Sequence, residues 1–201
     1  SFYRSLRTFY RWISTTQGLP NPFIDRFGNP VIDSPKTPNK ILYTISPGSV
    51  KALIEASDSL RDKSLIALLA DSGARRSEIS NITVQDLDLE NRRIKVAGKG
   101  GKEGYLIFGD ITYGYLTQYL EIYNPSSRLF KLTTQGLKTV LRRLEKKTGI
   151  KCNAHSFRRG FATELRRKGL SELDIAELGR WSSIEMVKHY TRSYTFLDAA
   201  V

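Results

Sequence analysis

The spacing of apolar residues along the chain predicts mostly helices. In residues 133–148 apolar side chains recur every three or four positions, so they lie on one helical face. Similar periodicity, bounded by cap and turn residues, predicts further helices at 2–15, 47–56, 59–71, 76–81, 110–123, 155–168, 172–178 and 183–190. Residues 93–96 and 105–108 instead alternate with a period of two around a glycine-rich turn, which indicates a β-hairpin. The predicted fold class is therefore mainly α with a small antiparallel β-sheet, an α+β arrangement.

A change in composition divides the chain into three segments. Six of the seven prolines fall between Pro20 and Pro47, among glycine- and asparagine-containing turns, so this stretch cannot hold long helices. We interpret residues 16–46 as an interdomain linker. Residues 1–15 are then the remnant of a longer helical structure, and residues 47–201 form one continuous domain.

The charge of the chain indicates a polyanionic partner. The net charge is +12, and residues 131–168 hold twelve Lys and Arg against two acids, a net +10 on two adjacent predicted helices. Such clustering favours a phosphate-facing surface, and nucleic acid is the commonest partner of this kind. A membrane surface is disfavoured, because there is no lipidation motif and no apolar run of membrane-spanning length.

The remaining composition describes an ordinary folded protein. Hydrophobic residues make up 40% of the chain, which is enough for a core and excludes global disorder. The single cysteine, Cys152, cannot form a disulfide within the chain, which fits a reducing cytosol.

Two basic positions in the first half of the domain are candidates for phosphate chemistry. In GARRSE, residues 73–78, Arg75 lies one helical turn before Glu78, whose carboxylate could brace a guanidinium that binds phosphate. Lys99 lies at the predicted hairpin tip, from which a lysine can enter a DNA groove or protonate a leaving oxygen. Taken alone, the first motif is more typical of a surface ion pair, and the second of a solvated turn.

The segment HSFRRGFAT, residues 155–163, holds one of only two histidines. His155 and Arg158 are three residues apart, so both project from the same side of a helix start. A lone histidine is more often structural than functional. Because no cysteine cluster accompanies it, the sequence predicts no metal site.

Two aromatic residues near the end of the chain complete the candidates. Trp181 follows a helix-ending glycine and could donate its indole N–H to a phosphate or equally fill the core. Tyr190, nine residues later, carries a phenol that could attack a phosphodiester. With ten tyrosines present, Tyr194 is its obvious competitor.

Taken in order, these residues resemble the tyrosine recombinase (phage integrase) family. The family pattern is Arg, a hairpin Lys, His-x-x-Arg, His or Trp, and then Tyr. The chain supplies Arg75, Lys99, His155, Arg158, Trp181 and Tyr190. The resemblance covers about residues 47–193 and implies the catalytic-domain fold of the family for residues 47–201. It also implies that residues 1–15 end a core-binding domain, so we expect the chain to be a fragment.

The chain departs from the family pattern in three places. Trp181 stands where many members have His, although a minority carry Trp. Arg180 separates Gly179 from Trp181, where many members have no intervening residue, and Arg159 follows the second arginine where His is common.

The resemblance implies a site-specific recombinase that uses neither metal nor ATP. Tyr190 would attack the scissile phosphate to form a 3′-phosphotyrosyl link, which a strand from another duplex resolves by way of a Holliday junction. Arg75 and Arg158 would clamp the phosphate oxygens, with Glu78 in support. His155 would accept the phenol proton, Lys99 would protonate the 5′-oxygen, and Trp181 would bind a phosphate oxygen and support Tyr190.

The expected partners follow from the same resemblance. Double-stranded DNA would be held by a homotetramer, without any cofactor or membrane, in a prokaryotic cytosol or nucleoid, and accessory DNA-bending proteins could take part. The candidate DNA-backbone contacts are Lys102, Lys138, Arg142, Arg143, Lys146 and Arg159.

Two other functions remain open at this point. A type IB topoisomerase shares the chemistry but religates the same strand, and a DNA-binding module could keep the fold without catalysis. The short chain and the spacing from His155 to Tyr190 favour the recombinase, and a non-catalytic module has no reason to keep all six positions.

Overall fold

The computed structural model describes residues 2–35, 42–97 and 103–197, and for residues 192–197 it describes the backbone alone. Contacts within the chain divide it into two compact units, Ser1–Lys40 and Ile41–Val201. No helix among the described residues is long and apolar enough to cross a membrane.

The first unit consists of one helix and an irregular segment. Helix α1 spans Phe2–Gln17, close to the prediction, and has no buried residue. The rings of Tyr3 and Tyr10 pack against Phe23, with centroids 5.5 and 5.8 Å away. The proline-rich segment therefore folds back onto α1. The interpretation of residues 1–15 as a domain remnant and of 16–46 as a linker stays a prediction.

The second unit contains eight α-helices, a short 3-10 helix (Val84–Asp86) and a three-stranded sheet within its described residues. The helices are α2 (Pro47–Glu55), α3 (Leu60–Ser72), α4 (Arg76–Asn81), α5 (Asp110–Tyr123), α6 (Thr134–Thr148), α7 (Ala154–Arg167), α8 (Glu172–Leu178) and α9 (Ile184–Leu197). The strands are β1 (Leu87–Asp88), β2 (Arg93–Ala97) and β3 (Glu103–Ile107), in the order β1-β2-β3 and antiparallel throughout. The predicted fold class is thereby confirmed.

Helix α3 forms the centre of the second unit. Leu65, Ile66, Leu68 and Leu69 are all fully buried, so the helix is enclosed on every side, as its nearly continuous apolar sequence predicts. It packs against α2, α5 and α7.

Local sequence signals explain where the helices begin and end. Ser59 begins α3 by accepting a hydrogen bond from the Asp62 backbone N–H at 3.2 Å. Gly73 ends the helix with a φ of +55°, and a Cβ at this position would lie 2.7 Å from the Phe161 ring. Glycine is therefore needed at position 73 both for its backbone angle and for the close approach of α7.

The sheet confirms the predicted hairpin and adds a strand. Ile94 pairs with Leu106, and both are fully buried. Strand β1 contributes the pair Leu87 and Ile94 and was not predicted, because two residues are too few to show alternation.

The last predicted helix was too short. Residues 183–190 were predicted, whereas α9 continues to Leu197. No glycine or proline follows Tyr190 in this segment, so no residue there ends the helix.

We predict that Gly73→Ala destabilises the second unit more than Gly149→Ala does. Gly149 also has positive φ, +71°, but a Cβ there would meet nothing within 4 Å. The control change should therefore cost only the backbone strain, about 1–2 kcal/mol. Gly73→Ala adds a steric clash with Phe161 and should cost about 2–4 kcal/mol. Urea unfolding of the two variants measures the difference, and equal losses would contradict the packing argument.

Candidate active site

One cleft of about 530 Å³ brings together residues that lie far apart in the sequence. It forms where the start of α4, the start of α7, the turn after α8 and the side of α9 meet. Five of the six predicted catalytic residues line it, namely Arg75, His155, Arg158, Trp181 and Tyr190. The sixth, Lys99, lies in residues 98–102, outside the described residues, as does Lys102.

Arg75 is fixed by a buried carboxylate. Its backbone N–H donates to Glu78 Oε2 at 2.8 Å, and its Nη1 donates to Oε1 at 2.6 Å. Glu78 is only 4% exposed. Burial by itself would raise the pKa of Glu78, but the charge of Arg180 and the hydrogen bonds from Arg75 outweigh it and lower the pKa. The anticipated brace is thus present, with Glu78 ionised.

Arg158 is held by backbone carbonyls. It is 4% exposed, and its Nη1 and Nη2 donate to the carbonyl oxygens of Gly73 and Gly179. Burial lowers the pKa of Arg158 to about 9, and the positive charges of Arg75 and Arg180 contribute to the lowering. The group still carries its charge at neutral pH. Because a guanidinium has five N–H bonds, two carbonyl acceptors leave others for a phosphate.

Trp181 lies between Arg158 and Tyr190. The Arg158 guanidinium stacks over the indole at 4.2 Å, and the Tyr190 ring meets the indole edge-on at 5.7 Å. A Cβ on Gly179 would lie 1.8 Å from the indole, so only glycine permits this packing. In the described part of the chain the buried indole N–H has no hydrogen-bond partner. The N–H is enclosed by protein atoms in this arrangement, so a ligand reaches it only if the indole moves.

Tyr190 lines the cleft of its own chain. It is 9% exposed, and it lies on α9 close enough to Arg158 and Arg159 to affect their pKa values. Tyr194 lies one turn further along α9, and its side chain is outside the described residues.

His155 has an environment that favours its neutral form. It lies in the first turn of α7, whose preceding residue Asn153 caps the helix. Partial desolvation lowers the pKa of His155, and the positive charges of Arg159, Arg76 and Arg158 lower it further. A neutral imidazole at the cleft can accept a proton.

Arg180 belongs to the site, although its sequence position marked it only as a departure from a family pattern. Its side chain is 12% exposed and pairs with Glu78, with Nη2 at 3.1 Å from Oε2. Its backbone has a φ of +56°. Apart from the Leu178 carbonyl, the contacts of the Arg180 side chain come from distant segments of the chain, so no local sequence signal could have revealed them.

Seven residues that line the cleft were not predicted from the sequence. They are Arg76, Ser77, Thr134, Gln135, Ala154, Ser182 and Met186. The position of Arg76 and Ser77 directly after Arg75 was an available signal. Thr134 and Gln135 reach the cleft because the basic helix α6 begins beside it, which the sequence does not show.

The residues predicted to contact the DNA backbone differ in whether they have partners within the fold. Lys138, Arg142 and Lys146 are exposed on α6. Their position opposite the buried stripe of α6 leaves them available to a polyanion.

Two of the predicted DNA contacts have partners within the fold. Arg143 forms an ion pair with Asp62, which is 1% exposed, and Arg159 donates from Nε to the Tyr43 carbonyl at 2.8 Å. Because a buried carboxylate needs a partner, Arg143 contributes to folding whether or not it also contacts DNA.

No group of three or more His, Cys, Asp or Glu side chains within residues 2–35, 42–97 and 103–197 is arranged to hold a metal ion.

Comparison with known proteins identifies the family. The sequence profile of the phage integrase family matches residues 44–195, and the chain belongs to this family. It is 29% identical to tyrosine recombinase XerA of Saccharolobus solfataricus, over 93% of this chain and 60% of the relative. It is 27% identical to tyrosine recombinase XerC of Staphylococcus carnosus, over 90% of this chain and 68% of that protein. The chain therefore spans roughly two thirds or less of the length of these relatives.

Solved structures show the same fold. The crystal structure of XerA recombinase superimposes with a TM-score of 0.71 at 26% identity, over 78% of this chain and 65% of that one. XerH recombinase, bound to its palindromic difH substrate after cleavage, gives a TM-score of 0.70 at 20% identity, over 95% of this chain and 63% of that one.

We predict that His155 titrates below pH 6.5 and that Arg76→Gln raises its pKa. Removing the exposed positive charge of Arg76 makes the imidazolium easier to form. Arg142→Gln, an exposed change on α6, is the matched control and should leave the titration unchanged. NMR titration measures the pKa of His155. A variant in which His189 is replaced assigns the signals of the two histidines. A His155 pKa above 6.5 in the unchanged protein would contradict the electrostatic argument.

Proposed function

We propose that this chain is the DNA-cleaving part of a site-specific tyrosine recombinase. The observation that carries the proposal is the meeting of Tyr190, Arg75 and Arg158 around a single cleft. The family membership and the relatives named as tyrosine recombinases support it. Structural neighbours bound to DNA support double-stranded DNA as the partner.

In this proposal the Tyr190 oxygen attacks the scissile phosphorus in line with the departing 5′-oxygen. A phosphorus–oxygen bond to tyrosine forms as the bond to the 5′-oxygen breaks, which leaves a 3′-phosphotyrosyl link. Arg75 and Arg158 bind the non-bridging oxygens, whose negative charge increases in the transition state. Their carbonyl and carboxylate contacts hold both guanidinium groups in place before DNA binds, so little reorganisation is needed during the reaction.

Candidate residues can accept the proton of the attacking phenol and donate a proton to the leaving 5′-oxygen. A phenol has a pKa of about 10, so at neutral pH it needs a nearby acceptor, and the neutral imidazole of His155 suits this role. We also propose that Trp181 donates its indole N–H to a phosphate oxygen, which requires the indole to move when DNA binds, because this N–H is enclosed by protein atoms. Lys99 is proposed to protonate the leaving 5′-oxygen, since it lies in the sequence between the paired strands β2 and β3, as in the family pattern.

The proposed oligomeric state follows from the number of DNA strands that must be cleaved. Exchange between two duplexes requires four strand cleavages, and each chain contributes one Tyr190. We therefore propose a homotetramer on DNA, with the exposed residues Lys138, Arg142 and Lys146 contacting the phosphate backbone. The proposed location is the prokaryotic cytosol or nucleoid, where accessory DNA-bending proteins could assist.

We predict that the protein forms a denaturant-resistant adduct with DNA and that Tyr190→Phe abolishes it. The phenylalanine variant lacks the attacking oxygen but keeps the ring that packs on Trp181. Random duplexes that remain attached to the protein after denaturation identify the site, and a nicked duplex of that sequence then traps the adduct. Tyr194→Phe is the matched control and should retain the adduct, as should treatment with EDTA.

Each other outcome of this experiment has a defined meaning. An adduct that persists in Tyr190→Phe places the nucleophile elsewhere. Relaxation of supercoiled plasmids that lack the selected site indicates a topoisomerase, and DNA binding without any adduct indicates a non-catalytic module.

We predict that Arg75→Lys slows cleavage about 10²–10³-fold while DNA affinity changes little. Lysine keeps the charge but cannot bind Glu78 and a phosphate oxygen with the same planar fork. Lys138→Gln, an exposed change on α6, should do the opposite by weakening binding and lowering the salt dependence by about one ion, with cleavage at saturation unchanged. Single-turnover adduct formation and binding at several salt concentrations separate the two effects. Parallel losses of both in Arg75→Lys would make Arg75 a binding residue only.

A further inference from the structure

We infer that Arg180 is a positioning residue, which orients Arg75 through the shared carboxylate of Glu78 and anchors the turn that supplies carbonyl acceptors to both cleft arginines. This inference rests on the proposed function, because its consequence is measured as DNA cleavage. Arg180 does not line the cleft itself, so its effect must pass through other residues.

The side chain of Arg180 ties together four segments that surround the site. Nη1 donates to the Leu178 carbonyl at 2.8 Å and to the Tyr105 carbonyl at 3.1 Å. Nη2 donates to the Ser72 carbonyl at 3.3 Å and to Glu78 Oε2 at 3.1 Å. The guanidinium therefore joins the ends of α3 and α8 to α4 and to strand β3.

Glu78 is shared between two arginines. Its Oε1 accepts from the Arg75 side chain, and its Oε2 accepts from the Arg75 backbone N–H and from Arg180. Since the carboxylate is almost fully buried, it stays ionised only with these partners. Loss of Arg180 would leave Arg75 as its one remaining ion-pair partner in the described part of the chain.

The turn after α8 connects Arg180 to both cleft arginines through the backbone. Arg75 Nη2 donates to the carbonyl of Arg180, and Arg158 Nη2 donates to the carbonyl of Gly179. The orientation of two consecutive carbonyls therefore sets the position of both guanidinium groups. Because the Arg180 side chain is anchored on neighbouring segments, it restrains this turn.

Strand β3 packs directly against the stem of Arg180. A Cβ on Gly104 would lie 3.0 Å from Arg180 Cδ. In the sequence, residues 98–102, which include Lys99, connect β2 to this strand. Arg180 thus also connects the hairpin to the turn that holds the cleft arginines.

The charge environment of Glu78 provides a specific readout. The charge of Arg180 lowers the pKa of Glu78, acting against burial, and Arg75 and Arg158 are also close to this carboxylate. Glu78 also lines a small cleft with Asp86, Lys95 and Glu103. Lys95 and Glu103 form an ion pair at 2.7 Å, and Asp86 accepts hydrogen bonds from Thr83, so these charges have their own partners.

Removal of the Arg180 charge should therefore raise the pKa of Glu78. A protonated Glu78 no longer forms an ion pair with Arg75, so cleavage should decline at a higher pH in the variant than in the unchanged protein. Protonation of His155 also slows cleavage at acid pH, but it should do so equally in both proteins, because the charges that lower its pKa are those of Arg159, Arg76 and Arg158. A loss of packing alone would reduce cleavage by the same factor at every pH.

The test compares Arg180→Gly with Arg180→Lys and Arg92→Gly. Glycine suits the positive φ of residue 180, so Arg180→Gly removes the side chain without adding backbone strain. Arg92 also has positive φ, +51°, but its side chain pairs with Asp110 on the surface, which makes Arg92→Gly a matched control. Single-turnover adduct formation at saturating protein is measured between about pH 5.5 and 8.5, together with DNA affinity and thermal stability.

For Arg180→Gly we expect at least a tenfold slower cleavage near neutral pH and a DNA affinity within about threefold of that of the unchanged protein. We also expect the acid limb, which is the decline of the cleavage rate at low pH, to shift to higher pH. Arg180→Lys keeps a positive charge beside Glu78, so it should restore the acid limb and part of the rate. Arg92→Gly should match the unchanged protein. In a Glu78→Gln background, Arg180→Gly should no longer change the pH dependence and should slow cleavage by a smaller factor, because only the anchoring of the turn is then lost.

Several results would overturn the inference. An unchanged cleavage rate in Arg180→Gly would overturn it. A loss of cleavage rate that is the same at every pH and just as large in the Glu78→Gln background would also overturn it. If Arg180→Gly fails to fold, Arg180→Lys provides the test. The inference requires that cleavage by this variant, which keeps the positive charge, declines at the same acid pH as cleavage by the unchanged protein. Absence of an adduct with the unchanged protein would instead refute the proposed function, and the inference with it.

Discussion

A buried carboxylate shared by two arginines is the interaction on which the arrangement of this site depends. Glu78 has 4% of its surface exposed and accepts hydrogen bonds from Arg75 and Arg180. An ionised carboxylate in such a position would be strongly unfavourable alone, and so would the concentration of positive charge around it. Each charge thus offsets the energetic cost of burying the others, and the guanidinium of Arg75 is held in one orientation as a result.

Backbone carbonyls hold the remaining guanidinium. Arg158 donates to the carbonyls of Gly73 and Gly179, which end α3 and follow α8. Both positions require glycine, since a Cβ would collide with Phe161 at the first and with Trp181 at the second. The close packing of helix ends thus fixes the acceptors, and the acceptors fix the orientation of the arginine. Under the proposed function, Arg158 therefore needs little reorganisation when DNA binds.

The sequence was most informative where a signal is local. The apolar stripe of α6 and the alternation in β2 and β3 lie within single elements, so their periodicity predicted them. The ion pair of Arg75 and Glu78 also joins neighbours on one helix. Strand β1 was too short for periodicity, the end of α9 has no stop signal, and the contacts of Arg180 span more than 70 residues, so all three were missed or misjudged.

By itself the sequence determined the helical character, the positive charge and the order of residues that mark the phage integrase family, because these depend on residue types and their spacing. Only the tertiary structure decided that Arg75, Arg158 and Tyr190 share one cleft, that Arg143 and Arg159 have partners within the fold, and that Arg180 pairs with Glu78. The physical reason is that hydrogen bonds and ion pairs act over a few ångströms in space, and only folding brings residues from distant parts of the chain within that distance.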